Sequence, residues 1–201
     1  PETKIADSVK EDVRMFFQKL QPDEEERSFT LSYLAYCLSG DTGHQVMKMN
    51  IGYSAQNGKS TELKIHQLAF PIYTTKLNKR TFNVGFEKAH KEFLQLIRNP
   101  IRLAYIEELD RKAIDVDVLK DFVDGKDLSV EILYGTKEVQ SHQCKLATLS
   151  NKDPNMEADE GVTRRMRVQH YLSKFIAETE DNFSTHEYVR VLNYENRFEK
   201  P

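Results

Sequence analysis

The sequence predicts an α/β fold: a mainly parallel central sheet flanked by helices, with further helices at its N-terminal side. Three observations carry this. A short apolar strand, residues 45–51, runs through a glycine-bearing loop into a helix at Gly58-Lys59-Ser60-Thr61. A nearly continuous apolar run, residues 101–106, ends in Glu107-Glu108. A third, residues 145–149, ends at Ser150-Asn151. Strands that alternate with helices build parallel sheets, whose ligands sit at the carboxyl ends of the strands.

The elements follow in order from spacing. Val9, Val13, Phe16, Phe17 and Leu20 recur at helical intervals. A second helix over residues 29–38 follows Pro22 and an acidic first turn, and Gly40 stops it. Beyond the strand and loop, a helix from Lys59 carries Leu63, Ile65, His66 and Leu68 as far as Pro71. Residues 85–98 form an amphipathic helix through Phe86, Ala89, Phe93, Leu94 and Ile97, closed by Asn99-Pro100. The strand over 101–106, β-branched and aromatic, is expected to be buried on both faces. A helix near 115–123 leads to residues 128–134 and 136–142, paired as a hairpin about Gly135. Residues 145–149 give the third core strand, and Tyr188, Val189, Val191 and Leu192 one more packed, helical element. The expected divisions are an N-terminal helical segment (1–40), a core (41–178) and a C-terminal element (179–201).

Composition sets bounds. With 201 residues and 39% hydrophobic content the chain can bury one compact core, and its start at Pro1 reads as part of a longer protein. A net charge of −3 and a pI of about 6.1 exclude a global basic field, so any nucleic-acid contact is local. Charge is uneven: Lys59, Lys64, Lys76, Lys79, Arg80, Lys88 and Lys91 face only Glu62 and Glu87 over residues 59–91, and acidic runs at 23–26 and 178–181 offset them. Two distant cysteines, Cys37 and Cys144, point to a reduced intracellular compartment. His142 and Cys144 stand two apart, but structural zinc takes four ligands and no second pair is spaced for it. No apolar run approaches the ~20 residues of a membrane span, so a soluble protein without membrane partners is expected.

The strand ends carry the chemistry. Backbone N–H groups at the helix start, with the helix dipole, suit a triphosphate held by Gly52, Ser54, Ala55, Gln56, Asn57, Gly58, Lys59, Ser60 and Thr61. Lys59 would neutralise the β- and γ-phosphates of ATP and Ser60 would hold Mg²⁺. The usual G-x-x-x-x-G-K-[ST] spacing of this Walker A loop would put its first glycine at Tyr53, whereas the nearest is Gly52. Glu107 and Glu108 offer one carboxylate to the metal and one, Glu108, as base for the attacking water. Adjacent side chains on an extended strand point opposite ways, so both face the phosphate only if the chain turns there. The Asn151 amide would bond both γ-phosphate and water. Arg164 and Arg165 supply a guanidinium of the kind that reaches a γ-phosphate across a subunit interface.

In this order the motifs resemble the superfamily 3 helicases, P-loop NTPases of AAA+ type, and within them the primase-helicases of large DNA viruses and phages. The matching residues are Asn57 through Thr61, the strand ending in Glu107-Glu108, the one ending Thr148-Leu149-Ser150-Asn151, and Asp159-Glu160-Gly161 leading to Arg164-Arg165, within residues 45–175. The resemblance implies a homo-hexameric ring that hydrolyses ATP at subunit interfaces and translocates on single-stranded or fork DNA, beside a primase domain or other replication proteins in the parent chain. It implies Asn151 as the γ-phosphate sensor, and Arg165, with Arg164 as alternative, as the finger supplied in trans. It also implies a DNA-facing hairpin over 128–142, with Lys137 and His142 as phosphate contacts, Lys126 competing for the tip, and Tyr134 either stacking on a base or packing inward. Two rivals stand beside this reading: a P-loop ATPase or nucleotide kinase that uses its arginines in cis without DNA, and a nucleotide-locked assembly module.

Overall fold

The computed structural model describes residues 7–109, 114–131, 137–152, 160–177 and 180–190. Two helices, α1 (Asp7–Leu20) and α2 (Glu24–Tyr36), open the chain. The Asp23 carboxylate caps α2 by accepting from the Glu26 N–H at 2.9 Å. The helix stops before Gly40 because Cys37, Leu38 and Ser39 close it with bonds to the carbonyls of Tyr33, Ala35 and Tyr36.

The sheet holds β1 (Met47–Ile51), β2 (Thr74–Lys76), β3 (Leu103–Glu107), β6 (Lys145–Ser150) and β7 (Met166–His170), in the order β2-β3-β6-β1-β7. Every pair is parallel. Three of these strands were expected from sequence. The three-residue β2 and the edge strand β7 were not: one is too short, and the other mixes Arg167, Gln169 and His170 with few apolar residues. β1 starts at Met47, since Gln45 sits in a turn with φ 50°. Likewise α4 runs Ala89–Arg98 and not from Gly85, which lies in turns with φ 70°. Between these elements lie α3 (Lys59–Ala69) and α5 (Val116–Val123), the latter capped by Asp115.

The expected hairpin is present as β4 (Leu128–Glu131) against β5 (Lys137–Gln140), antiparallel, with Glu131 opposite Lys137. Its connection, including Tyr134 and Gly135, lies outside the described residues, as does Asp159. The C-terminal element is a strand and not a helix: β8 (Lys174–Ile176) pairs in parallel with β9 (Glu187–Val189), so Tyr188 and Val189 are extended. Val191 and Leu192 lie outside the described residues. A short helix, α6 (Glu160–Thr163), precedes the arginine pair. No helix among the described residues is long and apolar enough to cross a membrane.

Alternation along β1 separates two faces. Met47 and Met49 enter a core with Phe82, Phe93, Phe122, Ile106 and Leu146, covered by α4 and α5. On the opposite face Tyr33, Leu63, Leu103, Ala147 and Leu149 pack under α2 and α3. Lys48 points to this second face and is 1% exposed. Its ammonium donates to Glu62 Oε1 at 2.7 Å and to the Tyr171 hydroxyl at 3.1 Å, and that hydroxyl donates to Glu62 Oε2. All three groups are buried, and burial, then the Glu62 charge, raises the tyrosine pKa well above its ordinary value. The network joins β1, α3 and the end of β7, the three segments that frame the loop after β1.

Removing one partner strands a buried charge. Lys48→Met is therefore expected to cost about 3–5 kcal/mol, and Lys48→Met with Glu62→Leu to recover most of it. Urea unfolding of the three proteins measures both.

Candidate functional site

The loop after β1 carries five residues between Gly52 and Gly58, one more than the usual spacing. Gln56 accommodates the extra length with φ 61°, and its carbonyl accepts from the Phe175 N–H at 2.8 Å. Both glycines are required by close approach. A Cβ on Gly52 would overlap the Asn57 amide and stand 2.8 Å from Lys59 Nζ. Gly58 has φ 84°, and a Cβ there would run into Leu20 and Phe175. Asn57, 5% exposed, folds across the loop to donate to the Ser54 carbonyl at 2.6 Å. Tyr53, standing where the usual glycine would be, is exposed with its ring stacked on His170.

Lys59 is 5% exposed. Its ammonium donates to the carbonyls of Gly52 and Ser150, each at 3.0 Å, and to Asn151 Oδ1 at 2.9 Å. Burial lowers its pKa, and the Glu108 charge opposes that shift. Glu108 lies at the end of β3 with φ 52°, and its carboxylate accepts from the Asn151 N–H at 3.2 Å. The chain thus turns at Glu108, just past the carboxyl end of β3. Such a conformation is uncommon for a non-glycine residue and costs on the order of 1 kcal/mol. Glu107 lines a cleft of about 220 Å³ with Ser60, Lys64, Gln67, Tyr105 and Leu149. Hence Lys59, Glu108 and Asn151, from three different elements, meet at the carboxyl end of the sheet, with Glu107 and Ser60 on an adjoining cleft. Glu107 and Ser60 present hard oxygen donors on one cleft, which fits Mg²⁺ held by one or two protein groups together with phosphate oxygens.

The arginines lie elsewhere. The Arg165 carbonyl accepts from the Met47 N–H at 2.8 Å, at the start of β1. Five residues of strand, roughly 15 Å at ~3.3 Å per residue, separate this pair from the loop of the same chain. Arg165 is 7% exposed; its Nε and Nη2 donate to the two Asp124 oxygens and its Nη1 to the Gly161 carbonyl, each at 2.6 Å. Arg165, expected to reach a neighbouring subunit, is engaged by this bidentate pairing inside its own chain. Arg164 is exposed. The pair was resolved only by folding, because nothing in Arg164-Arg165 says which side chain meets Asp124.

The hairpin residues also separate. Lys137 is exposed and lies at the end nearest the 132–136 connection. Lys126 lies before β4, at the base of the hairpin, paired with Asp121 at 2.6 Å. His142, expected to meet phosphate, is buried: its ring stacks on Phe122 with centroids 4.4 Å apart, and its Nδ1 accepts from the Cys144 N–H. Burial lowers its pKa to about 4, so it carries no charge at neutral pH. Sequence reading also missed Lys76, whose ammonium pairs with Glu107 from the end of β2. Its signal was a lysine ending a short β-branched run.

No protein-family model matches the chain. It is 26% identical over 177 residues to a protein of Acanthamoeba polyphaga mimivirus named as a putative helicase, covering 87% of this chain and 18% of that one. Among solved structures, the C-terminal region of NrS-1 superposes with a TM-score of 0.66 at 13% identity, over 92% of this chain and 43% of that one. JCV helicase, solved with a bound thiazolopyridine acetamide, gives 0.52 at 15% identity, over 77% and 42%. The sequence relative is thus a viral protein named as a putative helicase, in keeping with the helicase resemblance read from the motifs. The mainly parallel sheet of this chain, flanked by helices, is the fold of these structural neighbours. The chain spans under a fifth of the mimivirus protein and less than half of either solved neighbour.

The Asp124 carboxyl is held below its ordinary pKa by the bonds from Arg165, against burial. A depressed carboxylate contributes stability that is complete above the unfolded pKa and lost as pH falls through the folded one. Arg165→Ala is expected to cost about 3 kcal/mol at pH 7 and Arg164→Ala less than about 0.5. The gap between wild type and Arg165→Ala should narrow below about pH 4, as followed by chemical denaturation across pH.

Proposed function

We propose that this chain is the motor domain of an ATP-dependent DNA helicase of viral or phage replication, working as a homo-oligomeric ring on single-stranded or fork DNA. The observation that carries the reading is the convergence of Lys59, Glu108 and Asn151 at the carboxyl ends of β1, β3 and β6. Lys59 holds the β- and γ-phosphates, giving up its bonds to Gly52, Ser150 and Asn151 as they arrive. The backbone N–H groups from Ser54 to Thr61 cradle the rest. Ser60 and Glu107 hold Mg²⁺, which when bound neutralises phosphate charge. Glu108 takes the proton of the attacking water while Asn151 orients that water against the γ-phosphate. Low basic content is consistent with several weak phosphate contacts around a ring, Lys137 among them, acting through avidity.

The distance between the arginine pair and the phosphate loop of the same chain supports a finger acting in trans, and the internal engagement of Arg165 favours the exposed Arg164 for that role. The same distance disfavours the kinase reading with its arginines in cis. The assembly module remains the outcome if nucleotide binds without turnover.

Mixing tests this. Lys59→Ala should abolish nucleotide binding, and Arg164→Ala should bind nucleotide but lose hydrolysis by roughly 10³-fold or more. A random 1:1 mixture of the two rebuilds intact interfaces and should recover about a quarter of wild-type turnover. No recovery would remove the trans assignment. Glu108→Gln should retain binding and lose about 10²–10⁴ in turnover.

A further inference from the structure

We propose that Lys76 is an internal counter-ion of Glu107, which must yield that carboxylate before Mg²⁺ can use it, so that this lysine sets the divalent-cation requirement of the site. The inference rests on the nucleotide site proposed above. Lys76 ends β2 in register with Tyr105 of β3, and Leu77 continues the pairing by donating to the Tyr105 carbonyl at 2.9 Å. Residues in register on parallel strands share a face, as do residues two apart on one strand. Lys76, Tyr105 and Glu107 therefore lie together on the α3 side of the sheet. Glu107 stands two residues, roughly 6.6 Å, further along the strand direction, within reach of an extended lysine stem.

The ammonium meets the carboxylate that lines the Ser60 cleft. Burial, then the Glu107 charge, raises the Tyr105 pKa, and the Lys76 charge opposes them, consistent with both ions acting on this face. A lysine ion and a divalent cation on one carboxylate repel each other. Both partners are about half exposed, 51% for Lys76 and 42% for Glu107, so the pair is weak and the flexible lysine can swing to solvent. Lys76 thereby keeps Glu107 neutralised without metal and raises the cation concentration needed to claim it.

The test uses the whole chain with Mn²⁺ as probe, its binding followed by electron paramagnetic resonance in the presence of a non-hydrolysable ATP analogue. Lys76→Met should tighten Mn²⁺ binding roughly two- to fivefold, the worth of an exposed ion pair, and leave affinity for the metal-free analogue unchanged. Lys76→Arg, which retains the pair, should match wild type. Unchanged or weaker Mn²⁺ binding in Lys76→Met overturns the proposal. So does a loss of affinity for the metal-free analogue, which would make Lys76 a phosphate ligand. Mn²⁺ binding that survives Ser60→Ala would instead overturn the nucleotide site itself, and the proposal with it.

Discussion

The buried Lys48–Glu62–Tyr171 network is the constraint on which the site depends. Glu62 lies three residues into α3 from Lys59, and Lys48 four residues before Gly52, so their ion pair clamps the strand on one side of the Gly52–Gly58 loop to the helix on the other. Tyr171 adds the end of β7 to the same clamp, and its ring packs with Phe16, Phe17 and Leu20 of α1. A charge pair of this kind is weak evidence for net stability, since two ions must leave water. What it does fix is register: α3 cannot slide along β1 without leaving a charge unpaired in an apolar core.

Around that clamp the loop is held from several sides. Leu20 and Phe175 leave no room for a side chain on Gly58, Phe175 ties the Gln56 carbonyl, and Asn57 closes over Gly52. The strained turn at Glu108 is retained because its own N–H is fixed by the Leu149 carbonyl while its carboxylate holds Asn151. Lysine, carboxylate and amide are thereby held together at the carboxyl ends of β1, β3 and β6 by bonds to one another and to the backbone.

Much of this was legible in the sequence. A glycine-lysine-serine run between an apolar strand and a helix, and two later strands ending in polar residues, correspond to β1, β3 and β6, and the strand ends brought Lys59, Glu108 and Asn151 together. The misses have local reasons. β7 carries mixed residues because it lies at a sheet edge, where one side needs no partner strand. The strand at Tyr188 read as helical because a few apolar residues at close spacing fit either period.

By itself the sequence determined the fold class and the identity of the residues at the carboxyl ends of the core strands, since both depend on local patterning: apolar strands, a permissive glycine, polar residues at strand ends. Tertiary structure alone decided which of two adjacent arginines is exposed, that His142 is buried and uncharged, and that Lys76 stands on Glu107. These depend on partners 41, 20 and 31 residues away in the chain. Burial and pairing are properties of what the fold brings together, and no spacing within a segment encodes them.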